Sequence, residues 1–178
     1  MRGELDFEAA LTARVALLQG LPASVLEDCY RERVRLNPGA RTLVRTMAAL
    51  GAETALVSGG FSFFTERVAA AAGFAREQAN RLVIADGVLT GAVERPILGR
   101  QAKLDALRRV ATAAGIGPEA VLAVGDGAND LDMVRAAGLG VAYRAKPALA
   151  EAADARLEVS DLTALLALQG ITDSEWRE

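Results

Sequence analysis

The chain has 178 residues, 52% of them hydrophobic, which suits one domain with a packed core and excludes an intrinsically disordered chain. Its 20 basic and 23 acidic residues give a net charge of −3, so it lacks the basic field that nucleic-acid binding needs. Histidine is absent and Cys29 is the single cysteine, which excludes imidazole catalysis, imidazole metal ligands and an internal disulfide.

The first third of the chain predicts helices. Its charged start, MRGELDFEAA, lacks the apolar core of a signal peptide, and no apolar run reaches the ~20 residues that cross a bilayer, so we expect a cytoplasmic protein. Apolar residues at helical spacing predict a helix over residues 7–18. Ser24 and Glu27 form the pattern of a capping box at the start of a second helix, and a third is expected over residues 41–50.

Strands and helices alternate from there to the end. ETALVSGGF predicts a strand at residues 53–61, followed by a helix to about residue 72. Two β-rich runs around Asp86-Gly87 predict a hairpin, an excursion from the main sheet. The rest of the chain predicts three strands between helices. In chain order these elements are a helix over residues 103–114, the strand AVLAVGD, a helix over 130–137, the strand GLGVAYRA, a short helix from Pro147, the strand ARLEVS and a helix over 162–168.

This alternation predicts an α/β fold with a parallel, Rossmann-like sheet covered by helices on both faces. Ligands of such sheets lie at the carboxyl ends of the strands. The loops SGG and GDGAND each follow a strand directly, and their glycines allow a close approach of the backbone to an anion. We therefore expect both loops to face one pocket.

Five positions carry candidate chemistry. Asp126 and Asp130 offer the carboxylate oxygens that Mg²⁺ prefers, although isolated aspartates more often end a strand or cap a helix. Ser58 could bind a phosphoryl oxygen or simply begin a helix, and Lys103 could be functional or an ordinary surface lysine. Arg14 lies in the first helix and could bind a ligand or simply form a salt bridge. None of these residues decides the question alone.

In combination these residues are specific. The order Ser58-Gly-Gly, Lys103 and Gly-Asp-Gly-Ala-Asn-Asp130 resembles the haloacid dehalogenase superfamily of phosphohydrolases, and within it the phosphoserine phosphatase family. The resemblance covers nearly the whole chain, about residues 1–170. It is carried by the segments RGELDFEAALTARVALLQGL, VSGGF, DGVLTGAV, AKLDALRR and GDGANDLDM.

The resemblance implies roles for the candidate residues. Ser58, the Gly59 amide and Lys103 would bind the substrate phosphate, with Lys103 also offsetting charge during phosphoryl transfer. Asp126 would be a Mg²⁺ ligand and Asp130 would support it from behind. The substrate would be a small phosphomonoester, phosphoserine, hydrolysed in the last step of serine biosynthesis.

Four more residues are implied to lie around the substrate. Asn129 would contact the substrate or its phosphate, and Arg14 would pair with the carboxylate of phosphoserine. Met1 and Phe7 would pack beside the ligand. Residues 1–38 would be the remnant of a helical cap, and residues 39–178 the haloacid dehalogenase-like core.

One feature of the family pattern is missing. The family's nucleophile and general acid lie in an Asp-x-Asp-x-Thr motif after its first core strand, and the 178 residues contain no such sequence. The resemblance implies that the missing strand is central, between the strands that end at Ser58 and Asp126. Either those strands pair directly, or a strand from a second chain, in a homo-oligomer or by donation, fills a gap roughly 10 Å wide. The third outcome is a poorly packed, aggregation-prone protein, because exposed strand edges template association.

Three functional hypotheses follow. The first is a phosphoserine phosphatase that is inactive as residues 1–178 because the nucleophile is absent. The second is a degenerate phosphate-binding or regulatory remnant that keeps Ser58, Lys103 and Asp126. The third is a phosphatase for another small phosphomonoester, against which Arg14 and RGELDF argue. No nucleic-acid or membrane partner is expected.

Overall fold

The computed structural model describes residues 2–178, with side chains from Phe7 onward. The helices are α1 (Arg2–Ala16), α2 (Ser24–Arg33), α3 (Ala40–Ala49), α4 (Ser62–Ala72), α5 (Arg100–Ala113), α6 (Leu131–Ala136), α7 (Pro147–Ala150) and α8 (Ala164–Leu168). The strands are β1 (Ala55–Phe61), β2 (Arg76–Asn80), β3 (Leu82–Ala85), β4 (Val88–Val93), β5 (Leu122–Gly125), β6 (Leu139–Tyr143) and β7 (Ala155–Leu157). Three 3-10 turns lie at Pro118–Ala120, Ala128–Asp130 and Asp173–Glu175.

The predicted α/β fold with parallel strands is confirmed, but two local details differ. Ser24 is the first residue of α2 and Ala23 the N-cap, with no side-chain capping hydrogen bond, so the expected capping box is wrong. Strand β2 was not expected because its sequence, REQAN, is polar. It forms through pairing with β1, in which Ala55 lies opposite Arg76.

The hairpin β3–β4 forms as its turn sequence predicts. Asp86 and Gly87 both have positive φ, 49° and 77°, which the two-residue turn that matches strand twist requires. The hairpin packs with the N-terminal helices, since buried Val15 of α1, Leu26 of α2 and Leu89 of β4 share one cluster. The division into a cap remnant and a core stays a prediction.

Parallel strands form two separate groups among the described residues. One group is β1–β2, and the other is β5–β6–β7, both parallel. Strands β1 and β5 are not paired with each other, so the direct pairing that we considered does not occur. Among the residues that the structure describes, each of these two strands has one partner strand and therefore one open edge.

The main core of the three-stranded sheet lies on the face that α8 covers. Val141 and Tyr143 of β6 and Leu157 of β7 pack there with Leu165. On the opposite face, Ala142 packs with Val134 and Leu149, from α6 and α7. Helices therefore cover both faces of this sheet, as its apolar strands require. None of the described helices is long and apolar enough to span a membrane.

Candidate active site at the ends of two strands

The carboxyl ends of β1 and β5 both lie at the N-terminal end of α5. Buried Asn80 links the first of them, because its Nδ2 donates to the Gly59 carbonyl at 3.0 Å and to the Leu98 carbonyl at 3.3 Å. The Asn80 Oδ1 accepts from the Leu98 amide at 2.7 Å. Leu98 lies two residues before α5, so Asn80 fixes the start of this helix beside the Ser58-Gly59-Gly60 segment of β1.

A buried ion pair links α5 to the loop after β5. The ammonium group of Lys103 binds Asp130 Oδ1, and the side chains are only 11% and 3% exposed. The second oxygen, Oδ2, accepts from the backbone amides of Asp126 at 3.1 Å and Gly127 at 3.2 Å. Asp130 therefore holds the backbone of the GDGAND loop with one carboxylate oxygen and Lys103 with the other. The structure thus brings Lys103 to the GDGAND loop, while the expectation that SGG and GDGAND face one pocket stays a prediction.

The small residues of this loop are required by the close approach of its own side chains. A Cβ at Gly125 would lie 2.4 Å from the Asp130 Cβ, and one at Gly127 would lie 2.7 Å from the Asn129 Oδ1. Neither glycine has positive φ, so space rather than backbone strain decides these positions. Asn129 is half-buried and its side chain folds back over Gly127.

Asp126 is the carboxylate that remains free for a ligand. It is exposed, and its side chain makes no hydrogen bond or ion pair with the part of the chain that the structure describes. Its carbonyl accepts from the Lys146 amide at 2.9 Å, which anchors the backbone below it. Mg²⁺ is commonly held by one or two carboxylates together with water and phosphate oxygens. Asp126 fits such an ion, whereas both oxygens of Asp130 are already engaged.

No group of three or more metal-ligating side chains exists among the described residues. A Mg²⁺ ion at Asp126 would therefore depend on ligands besides this carboxylate, such as water and the substrate phosphate. This agrees with the weak preference of Mg²⁺ for sites built entirely from protein side chains.

The structure places Ser58-Gly59-Gly60 inside β1 and not in a loop after it, so that expectation is wrong. The pairing of β1 with β2 shifts register between Val57 and Phe61, across these residues. Ser58 Oγ accepts from the Gly60 amide at 3.0 Å, which leaves the hydroxyl proton available to donate. The Phe7 ring of α1 lies over Gly59, where a Cβ would be 3.1 Å from the ring Cζ. Phe7 also lies near Gly99, the residue before α5. The structure thus brings Phe7 to the predicted site.

Arg14 and Met1 are the two remaining predicted substrate contacts. Arg14 is exposed on α1, seven residues after Phe7 and hence about 10 Å along the helix. Seven residues are close to two helical turns, so the two side chains lie on the same side of α1. Arg14 has no ion-pair partner among the side chains that the structure describes. Met1 lies outside the described residues.

A further ion pair, which the sequence did not predict, joins α5 to α6. Arg100 binds both oxygens of Asp132, one turn away from the Lys103–Asp130 pair. Hydrogen bonding from Arg100 is the main reason that the pKa of Asp132 lies below its usual range. Asn80 was missed as well, since it lies in an unpredicted strand. Neither residue is distinguished by its local sequence, because their partners are 18 to 32 residues away.

The sequence matches one protein family over most of its length. The family profile of haloacid dehalogenase-like hydrolases matches residues 1–135. The chain belongs to this family. Among its curated relatives, the phosphoserine phosphatase of Streptomyces coelicolor is 54% identical over 98% of this chain and 42% of its own length. That of Idiomarina loihiensis is 45% identical over 93% of this chain and 75% of its own length.

Solved structures agree with these haloacid dehalogenase-like relatives. A phospho-aspartyl intermediate analogue of phosphoserine phosphatase matches with a TM-score of 0.86 and 40% identity, over 97% of this chain and 81% of that one. A substrate-bound phosphoserine phosphatase complex matches with a TM-score of 0.86 and 40% identity, over 97% and 80%. The chain spans about two fifths of the length of two of its curated relatives, 42% in each case.

Proposed function

We propose that this haloacid dehalogenase-like chain forms the substrate-binding part of a Mg²⁺-dependent phosphoserine phosphatase. The observation that supports the proposal is that Asp130 holds Lys103 beside Asp126, while Asn80 joins Gly59, next to Ser58, to Leu98 just before α5. The names of its relatives at 45% to 54% identity support phosphoserine as the substrate. The expected setting is serine biosynthesis in the cytoplasm.

Each residue of the site has a part in binding the substrate. Ser58 donates its hydroxyl proton to a phosphate oxygen, and the Gly59 amide donates beside it. Lys103 lies between the substrate phosphate and Asp130, so the carboxylate fixes the position of the ammonium group. Asp126 holds Mg²⁺, which offsets the negative charge on the phosphoryl group when bound. Asn129 contacts the substrate from the same loop.

The N-terminal helix selects the substrate in this proposal. Arg14 binds the carboxylate of phosphoserine, while Met1 and Phe7 pack against its apolar side. Arg14 is exposed and has no ion-pair partner among the described side chains, which supports this role, because an arginine already held in an ion pair would have to give up its partner.

The chemical step needs a group that residues 1–178 lack. By the resemblance, an aspartate oxygen attacks phosphorus while the bond from phosphorus to the serine oxygen breaks, and that oxygen takes a proton from the second aspartate. Water then cleaves the aspartyl phosphate to give phosphate and free carboxylate. We therefore infer that residues 1–178 alone bind phosphoserine but do not hydrolyse it.

Calorimetry and phosphate release with purified chain and Mg²⁺ test this proposal. We expect phosphoserine binding without turnover, and Arg14→Ala should weaken phosphoserine binding at least tenfold while leaving phosphoethanolamine, which has no carboxylate, unaffected. Arg33→Ala, an exposed arginine at the end of α2, is the control. Equal loss of both ligands would contradict the role of Arg14, and no binding of either ligand would sink the proposed function.

A specific observation favours a second function, a non-catalytic phosphate-binding remnant. The phosphate-binding residues are present while the Asp-x-Asp-x-Thr motif is absent from the 178 residues. The two functions differ in one respect, which is whether supplying the missing motif restores hydrolysis. A phosphatase for another phosphomonoester would show itself by equal binding of phosphoserine and phosphoethanolamine.

A further inference from the structure

Residues 58–60 of β1 lie outside the regular pairing of this strand with β2. The pairs on either side of them are Val57 with Gln78 and Phe61 with Asn80. Three residues of β1 therefore face a single residue of β2, and a bulge of this kind disrupts the ladder of hydrogen bonds between two strands. The backbone of this segment depends on partners beyond the regular strand ladder.

One peptide group of this bulge is held from both sides by side chains. Asn80, which is 2% exposed, donates from its Nδ2 to the Gly59 carbonyl at 3.0 Å. The Gly60 amide donates to Ser58 Oγ, also at 3.0 Å. That carbonyl and that amide belong to the same planar peptide group, in which they point in opposite directions. Asn80 and Ser58 therefore fix the orientation of this peptide group together.

The other contacts of Asn80 anchor its side chain at the start of α5. Its Oδ1 accepts from the Leu98 amide at 2.7 Å, and its Nδ2 donates to the Leu98 carbonyl at 3.3 Å. Helix α5 begins two residues later and is held independently by the buried pair of Lys103 with Asp130. The Leu98 backbone is therefore the fixed point from which Asn80 holds the bulge.

This set of contacts requires an asparagine at position 80. An amide side chain offers two N–H donors for the two carbonyls and an oxygen for the Leu98 amide. An aspartate has no N–H donor, and an aliphatic side chain would leave all three backbone groups without this partner. Asn80 is the buried residue of an otherwise partly exposed strand, so its polar group is explained by these contacts and not by packing.

We propose that Asn80 is a positioning residue for phosphate binding, which orients the Ser58 hydroxyl through the peptide group between Gly59 and Gly60. Because the Gly60 amide fixes Ser58 Oγ, the hydroxyl proton is directed to a phosphate oxygen of the ligand. Asn80 acts through Ser58 and does not touch the ligand. That the ligand is a phosphomonoester rests on the proposed function, whereas the orientation of Ser58 rests on the contacts of Asn80.

Calorimetry with inorganic phosphate and Mg²⁺ measures the effect of Asn80 on ligand binding. Asn80→Ala should weaken phosphate binding by about tenfold, because a misplaced hydroxyl loses its hydrogen bond to a charged group. In a chain that already carries Ser58→Ala, the same change should weaken binding by less than about twofold, since the residue through which Asn80 acts is gone. An equal loss of affinity in both backgrounds would overturn the proposal.

Thr54→Val is the matched control at the other end of the same pair of strands. Thr54 is buried, and its Oγ1 accepts from the Ala75 amide at 2.9 Å, just before β1 and β2 begin. Thr54 precedes Ser58 by about 13 Å of extended chain. The substitution removes a buried hydrogen bond, so it should lower stability without changing phosphate affinity. Equal weakening of phosphate binding by Thr54→Val and Asn80→Ala would mean a general loss of stability and would overturn the proposal.

Hydrogen exchange read by NMR is a second measurement, and it needs no ligand. In the unaltered chain, both carboxamide protons of Asn80 should exchange slowly because each is donated to a carbonyl. Asn80→Ala should speed exchange of the Gly60 amide at least about tenfold more than that of the Ala75 amide, and Thr54→Val should give the reverse order. Unchanged exchange at Gly60 would overturn the proposal. If the unaltered chain bound neither phosphate nor phosphoserine, the proposed function would fail, and exchange at Gly60 would still decide whether Asn80 orients Ser58.

Discussion

Removing the charge of Lys103 should destabilise the fold strongly, because it leaves the carboxylate of Asp130 buried without its cation. Asp130 is 2% exposed, and its pair with Lys103 is shielded from water. Removing one partner of a buried pair typically costs 3 to 5 kcal/mol, and we expect about 3 kcal/mol for Lys103→Met. The value lies at the low end because two backbone amides still donate to Asp130.

A double-mutant cycle isolates the pair from the packing of the lysine stem. The variant that combines Lys103→Met with Asp130→Asn has no buried charge, and an asparagine oxygen can still accept from the Asp126 and Gly127 amides. We expect the double variant to be at least ~1 kcal/mol more stable than the sum of the two single losses predicts. Lys146→Met, at an exposed lysine after β6, should change stability by less than ~0.5 kcal/mol.

Urea unfolding followed by circular dichroism measures these changes, with the fluorescence of Trp176, the only tryptophan, as a second probe. At a slope of about 2 kcal/mol per molar urea, a loss of 3 kcal/mol lowers the midpoint by about 1.5 M. If the single losses add without coupling, or if Lys103→Met unfolds no earlier than Lys146→Met, the reasoning from the buried pair is wrong.

Three further predictions concern the end of β5, the end of β2 and the helix α4. Gly125→Ala should lose about 2 kcal/mol of unfolding free energy because its Cβ would overlap Asp130, whereas Gly99→Ala, with its nearest atom 3.6 Å away, should be near neutral in the same urea assay. Asn80→Ala should lower the free energy of unfolding by about 2 kcal/mol, because the Leu98 amide loses its acceptor. Asn80→Asp should lower it further, since a carboxylate would face the Gly59 and Leu98 carbonyls. Equal losses of stability in thermal melts would contradict this order. Arg67→Lys should cost about 1 kcal/mol, because the guanidinium lies 3.7 Å from the Phe63 ring centroid, and an unchanged melting temperature would refute that contribution.

The sequence determined the features that depend on neighbouring residues. The hairpin turn forms at Asp86-Gly87 because those residues tolerate positive φ, whatever packs around them. The end of β5 was predictable as well, since its apolar run stops at Gly125-Asp126, whereas Ser58-Gly59-Gly60, expected as a loop after its strand, lies inside β1. The candidate site residues could be chosen because their motifs follow one another in a characteristic order along the sequence.

Tertiary structure decided what depends on distant partners. Strand β2 is polar, and it exists because β1 offers it a parallel edge and because Asn80 finds hydrogen-bond partners at Gly59 and Leu98. Lys103 and Asp130 are 27 residues apart, and only the packing of α5 against the loop after β5 turns two plausible surface residues into a buried pair. The open edges of β1 and β5 are likewise a property of the assembled layers, because a strand's own residues do not specify whether it has one neighbour or two.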